Sequence, residues 1–315
     1  MTSFATSPLP GQDHYGTVVT DLDPAALDDP AVRAALHSLW LDTGVVVFRG
    51  IGGGIDTQLR LSEIYGEPEV HPMMAGTDIR TEHRALAPIE FDRDDGNIYE
   101  IGGELRGGYL PWHFDGAYVD RINHGGVLRP EVLPGRGGET GFIDQIAAYD
   151  TLPAALQQRI DGLSVVYSYQ PDLTKAKFGE RPDRLVQMST LFRKGMEHPS
   201  VQVRAIHPLV YEQAGTGRKI LHVSPWFADG IEGMENEEGD ALLREVISYV
   251  MRPELMYFHQ WQPGDMVLWD NWRVLHCAEG THPEDTRLML RTTIAGDYAR
   301  GRALGADGPV VTYEV

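Results

Sequence analysis

The segment Pro111-Trp112-His113-Phe114-Asp115 sets an imidazole and a carboxylate two residues apart in a stretch that reads as a strand. Side chains alternate along a strand, so His113 and Asp115 are expected to leave the same face together. Joined by a second His from a distant strand, they would make a three-ligand facial metal site with its remaining positions open. Fe(II) is the metal for which such openness is most useful. An H-x-D tripeptide recurs by chance, so its weight rests on its company. In Trp272-Arg273-Val274-Leu275-His276, a returning strand would point His276 into the same interior. Arg287 and Arg291 fall on one face of the following strand, and Thr140 stands in Gly137-Gly138-Glu139-Thr140. A guanidinium and a hydroxyl are what a ligand carboxylate needs inside an apolar barrel. His282-Pro283-Glu284 repeats the H-x-acid spacing, but it lies in a Pro-containing acidic turn and reads as solvent-exposed.

Elements that must position these residues can be read along the chain. A helix is expected at about Pro30–Leu41, ended by Gly44, then a buried strand over Val45–Ile51 and a second helix near Thr57–Tyr65. From Tyr109 onward short strands dominate: around Trp112, in Gly125–Pro134, in Gly137–Asp144, and in Ser164–Tyr169. A helical segment runs from Ala147 to Ile160, and a hairpin is expected around Ala214–Gly217. Glu237–Met251 carries an apolar stripe of Leu242, Val246, Tyr249 and Val250, and the remainder is strand again. Many short strands with few helices predict a mainly β protein with flanking helices around a jelly-roll or barrel core. Residues 1–315 are read as one domain, with 1–14 a loose arm and with 76–110 and 170–200 as lid or insert segments.

Composition limits the chemistry. The chain has 315 residues, 27 Lys+Arg against 46 Asp+Glu, and a formal charge of −19. That balance argues against a general nucleic-acid or anionic-membrane binder, yet a local Arg cluster would still hold a small anion. A single cysteine, Cys277, excludes intramolecular disulfides and cysteine-rich metal sites. No signal-peptide pattern and no apolar run of membrane-spanning length is seen, so a soluble, cytoplasmic protein is expected. Other tempting residues have plainer readings. Cys277 beside His276 would face the opposite side of its strand and pack in the core, and His207 and His222 read as structural. Trp112 and Trp269 read as core aromatics, Glu235–Asp240 as a helix N-terminal region, and Gly102–Gly103 and Gly107–Gly108 as lid hinges.

The ordered set of Val46-Val47-Phe48-Arg49-Gly50, the strand Trp112–Asp115, the Gly137–Thr140 turn, the Gln260–Asn271 segment, Leu275-His276 and Arg287–Asp297 resembles the taurine dioxygenase/2,4-dichlorophenoxyacetate dioxygenase family of Fe(II)- and 2-oxoglutarate-dependent oxygenases. The resemblance spans roughly Val18 to Tyr298 and implies a double-stranded β-helix (jelly-roll, cupin-like) core. It implies His113, Asp115 and His276 as iron ligands. Thr140 with Arg291, and Arg287 nearby, would bind the distal carboxylate of 2-oxoglutarate. His71 falls where the family places a substrate-contacting His, and Tyr109 would line the same pocket. The implied reaction couples decarboxylation of 2-oxoglutarate, with O2, to oxidation of a small organic substrate, by hydroxylation, desaturation or cleavage of a C–N, C–O or C–S bond. Asp115 occupies the position that halogenating relatives leave small, so halogenation is not expected. Two competitors are a zinc hydrolase on the same His113–Asp115–His276 triad, and a barrel that only binds small molecules, which would keep the pocket but need no three-ligand set. A small-molecule substrate, no nucleic acid and no membrane are expected, with homo-oligomerisation left open.

Overall fold

A computed structural model describes residues 4–70, 85–190, 192–193 and 203–305. A run of three valines followed by phenylalanine makes Val45–Phe48 a strand buried on both faces, and it stands near the centre of the largest sheet. The order there is Ala5–Pro8, Thr17–Thr20, Val45–Phe48, Met266–Asp270, Gly125–Val132 and Arg287–Ile294, with Pro68–Glu69 and Leu86–Phe91 both pairing with the last strand. Facing it is a four-stranded sheet in the order Tyr257–His259, Thr140–Asp144, Val274–Ala278 and Leu110–His113. Every pairing is antiparallel except Thr17–Thr20 with Val45–Phe48. Val45, Val47, Leu128 and Met289 from the large sheet meet Phe142, Tyr257 and Val274 from the small one, which is the core of a jelly-roll sandwich.

The opposite face of the large sheet is covered by two helices. Asp29 caps the helix Pro30–Thr43 through the Ala31 N–H, and Gly44 stops it. Its Leu36 and Trp40 pack with Leu61 of the helix Gly54–Ser62 onto Val46, Leu268 and Ile294. The second helix therefore starts earlier than the sequence suggested, because Gly53, in a left-handed conformation, opens it. The Ala147–Ile160 segment is two helices, Gln145–Asp150 and Ala154–Ile160, because Pro153 interrupts it and serves as the N-cap of the second. Glu237–Val250 forms as expected, with Leu242, Val246 and Val250 buried. None of the described helices is long and apolar enough to cross a membrane.

Two irregular regions are more ordered than their composition suggests. The N-terminal arm contributes Ala5–Pro8 as an edge strand on Thr17–Thr20; all four of its side chains are exposed, so no apolar alternation marked it. Parts of the two insert segments form one small sheet, Arg184–Gln187 beside Ile98–Ile101 beside Glu104–Gly107. Gly102 and Gly103 join two of its strands. Both have positive φ (59° and 84°) and make the two-residue turn of that hairpin. Residues 76–84 and 194–200 of those segments lie outside the described residues.

Candidate metal centre and anion sites

Antiparallel pairing sets His276 directly opposite His113 across the small sheet. Their rings come within 4.3 Å, centroid to centroid, and both side chains are buried. The strand ends at His113, and Asp115 sits in the turn that follows it. Strand alternation therefore does not aim the carboxylate; a clamp does. Asn271, fully buried, accepts from the Asp115 N–H at 2.8 Å and donates to its carbonyl at 3.1 Å. Asn271 also donates to the Asn123 carbonyl at 3.1 Å, fixing the clamp to a second loop. Asp115 Oδ1 then lies 3.5 Å from the Nε2 atoms of both His113 and His276.

The three candidate ligand atoms all lie within 4.8 Å of one another. This spacing, the mixed N,N,O donor set and its one-sided placement fit a divalent transition metal held on a single face. His113 Nδ1–H donates to the Pro111 carbonyl at 2.7 Å, which leaves the Nε2 lone pair for the metal. Burial, aided by His113 and Arg291 and opposed by Asp115, lowers the His276 pKa to about 4, so its imidazole is neutral and able to ligate. Burial pushes Asp115 upward, but Arg291, His276 and His113 together outweigh it and hold the carboxyl well below its usual range.

Arg291 lies over the Trp269 ring, 4.9 Å from its centroid, and its Nη2 is 2.6 Å from Asp115 Oδ2. That ion contact is close but poorly aligned, since neither Nη2 nor Nε of Arg291 has a hydrogen-bond partner among the described residues. Gly126 makes this position accessible: a Cβ there would stand 2.9 Å from the Trp269 ring, 3.0 Å from the Thr292 carbonyl and 3.1 Å from Arg291 Nε.

Thr140 has a different partner from the one expected. Arg287, not Arg291, reaches it, with Nη2 3.3 Å from Thr140 Oγ1 and Nε donating to the Gly138 carbonyl at 3.2 Å. Strand geometry explains the choice: Arg287 and Arg291 share a face, but only Arg287 stands level with the Gly137–Thr140 turn. Trp261, which no sequence signal singled out, donates from Nε1 to the same hydroxyl at 3.0 Å. With both Thr140 lone pairs accepting, its own O–H is left to donate to a ligand. Burial lowers the Arg287 pKa to about 10, so the guanidinium stays charged at neutral pH.

Tyr109 does not face the metal. It lines a cavity of about 500 Å³ with Trp112, Phe258, Arg106 and Glu279. Trp112 and Cys277 alternate with His113 and His276 along their strands, and both meet Phe258 over the open side of Gly141. That cavity is therefore on the outer face of the small sheet. Cys277 is buried there, as expected. On the inner face the aromatic neighbours are Trp226 and Phe227, edge-on to the His113 ring at 5.0 and 5.8 Å, followed by Tyr118 and Tyr169. His207 and His222 are buried among Phe114, Tyr167 and Tyr298, away from the ligand set. His282 is at the surface beside Arg136. His71 lies outside the described residues.

Comparison with known proteins agrees with this geometry. The family model described as "Taurine catabolism dioxygenase TauD, TfdA family" matches residues 5–293. An (S)-phenoxypropionate/alpha-ketoglutarate dioxygenase of Sphingobium herbicidovorans is 33% identical over 302 residues, covering 96% of this chain and 98% of its own. An alkylsulfatase of Acinetobacter baylyi is 28% identical over 276 residues, covering 87% and 80%. The crystal structure of a taurine dioxygenase from Burkholderia xenovorans superposes with a TM-score of 0.71 at 24% identity, covering 96% of this chain and 97% of that one.

Proposed function

The chain belongs to the TauD/TfdA dioxygenase family, and from that premise we propose that it oxidises a small aryl- or alkyl-bearing organic anion, held by Arg291 beside the metal. It is a 2-oxoglutarate-dependent oxygenase using Fe(II) and O2. When bound, the iron supplies O2-dependent oxidation of a carbon–hydrogen bond, coupled to conversion of 2-oxoglutarate into succinate and CO2. His113, Asp115 and His276 would hold it. Arg287 and the Thr140 hydroxyl would anchor the distal carboxylate of 2-oxoglutarate. Two methylenes separate that carboxylate from the chelating keto-acid end, so its anchor belongs one step away from the ligands, where Arg287 is, and not against Asp115.

The substrate reading is carried by one observation: a buried guanidinium, Arg291, keeps its Nε–H unpartnered beside the ligand carboxylate, which its Nη2 meets as an ion pair without an aligned hydrogen bond. An unsatisfied buried donor is costly, and an anionic ligand group removes that cost. Trp226, Phe227, Tyr118 and Tyr169 supply an apolar wall for the rest of the substrate. The named activities of the relatives, on phenoxypropionate, 2,4-dichlorophenoxyacetate and sulfate esters, share this plan of an anion joined to an apolar body. The zinc-hydrolase alternative leaves Arg287 and Thr140 without a role. The test is succinate formation, with mass spectrometry of the products, across aryloxyalkanoates, alkyl sulfates and their uncharged esters or alcohols. Charged members should stimulate succinate release and uncharged analogues should not; equal stimulation by both would refute the role of Arg291.

A further inference from the structure

Along Arg287–Ile294 the two faces are sharply divided. Thr292 contacts Ser62 of a covering helix at 2.6 Å, and Ile294 packs with Trp40 and Leu61. Arg287, Met289 and Arg291 point the other way, toward Thr140, the sandwich core and Asp115. Thr293 shares that inner face. Its register partner is Glu69, and Pro68 opposes Ile294. Directly paired residues of an antiparallel ladder project to the same side, so the Glu69 side chain enters the interior beside Thr293 and one step from Arg291.

Glu69, Thr293 and Arg291 are thus neighbours on the inner face, and the last two carry hydrogen-bonding atoms without a hydrogen-bond partner. The Thr293 hydroxyl is fully buried and has no partner among the described residues, and neither do Nε and Nη2 of Arg291. Glu69 is half-buried; desolvation raises its pKa, partly offset by attraction to Arg291. A carboxylate ligand would satisfy Arg291 and Thr293 but would meet Glu69 as a like charge. A ligand that also carries an N–H or O–H donor next to its carboxylate satisfies all three.

We propose that Glu69, Thr293 and Arg291 form a subsite that selects acids bearing an amine or hydroxyl beside the carboxylate, with Glu69 accepting from that donor. The inference deepens the organic-anion reading and rests on it. It sets this protein apart from an enzyme built for a plain aryloxy acid, whose ether oxygen offers Glu69 no proton.

The test uses three acids on one skeleton, 3-phenylpropanoate, phenyllactate and phenylalanine, the last two as both enantiomers. They are titrated calorimetrically and without oxygen into the full chain loaded with Fe(II) and 2-oxoglutarate, and succinate formation is then measured in air. One enantiomer of each donor-bearing acid should bind about tenfold or more tightly than 3-phenylpropanoate, the worth of one charge-assisted hydrogen bond. Glu69→Ala should bring the three acids to within about twofold of one another. Glu69→Gln, a neutral acceptor, should keep the hydroxy-acid preference and lose the amino-acid one. The proposal is overturned if the plain acid binds as well as the others to the wild type, if no donor-bearing acid binds, or if Glu69→Ala preserves the original ratios. The visible charge-transfer band of wild-type protein with Fe(II) and 2-oxoglutarate checks the oxygenase reading separately. A present band with no discrimination refutes only the Glu69 subsite, whereas an absent band refutes the reading beneath it.

Discussion

Replacing Arg287 by Ala separates the two anion sites. The guanidinium contacts Thr140 and Gly138 through Nη2 and Nε, which leaves its remaining N–H groups for a carboxylate. Charge-assisted hydrogen bonds contribute about 1.5–3 kcal/mol each, so losing two of them removes about 3–6 kcal/mol. At about 1.4 kcal/mol per decade, 2-oxoglutarate binding should weaken by roughly two to four decades. Fe(II) affinity in the absence of 2-oxoglutarate should stay within about twofold, because Arg287 touches none of the ligands. Arg287→Lys should recover only part of the loss, since an ammonium cannot reproduce the planar fork. Arg291→Ala should weaken 2-oxoglutarate binding less than Arg287→Ala does. The dissociation constant is read anaerobically from the metal-to-ligand charge-transfer band of Fe(II) with 2-oxoglutarate. An unchanged constant in Arg287→Ala, or a larger loss in Arg291→Ala, would refute the assignment.

Two further perturbations probe how the site is held. Asn271→Ala removes the clamp on both backbone groups of Asp115, and metal affinity should fall roughly tenfold to a hundredfold while the fold survives; an unaltered Co(II) titration would show that the turn is held by other contacts. Gly126→Ala drives a methyl against the Thr292 carbonyl, which cannot withdraw from its sheet, and against Trp269 and Arg291. Overpacking of this kind costs about 1–3 kcal/mol, so Tm should fall by several degrees in a thermal melt, and an unshifted Tm would contradict the tight packing described for Arg291.

The parts of this molecule legible in the sequence are those whose signal is local. His113, Asp115 and His276 stood out because ligand chemistry needs particular residue types, and the Val45–Phe48 strand and the Glu237–Val250 helix because burial imposes a period. What escaped depends on register, which no single segment carries. Whether Arg287 or Arg291 reaches Thr140 is decided by how two non-adjacent strands line up, and the sequence offered two equivalent arginines. Tyr109, which only the resemblance put in the metal pocket, shows the same dependence on register. The ladder between Leu110–His113 and Val274–Ala278 is irregular between His276 and Ala278, so alternation counted back from His113 does not hold through it. Asn271 and Trp261 were invisible because a buried amide and an indole look like ordinary core until their partners are known. The two inserts pair with each other across a long stretch of chain, a contact that composition cannot announce.

A net charge of −19 does not conflict with the two proposed anion sites once distance is considered. Surface carboxylates act on a ligand through water and salt, where their influence fades over about 8 Å. Inside the sandwich the nearest charges decide, and two buried arginines stand on one strand, Arg291 against Asp115 and Arg287 against Thr140. Had Arg291 formed a well-aligned two-bond pair with Asp115, its donors would be spent and the carboxylate would be tied to the guanidinium. The misaligned contact does something else. It lies close enough to keep Asp115 ionised and ready for a cation, and it leaves Nε of Arg291 unclaimed. In the proposed reading the same arginine keeps Asp115 ionised and presents a donor to the substrate anion, so the order of Arg287 and Arg291 along their strand, more than their number, would decide which carboxylate each holds.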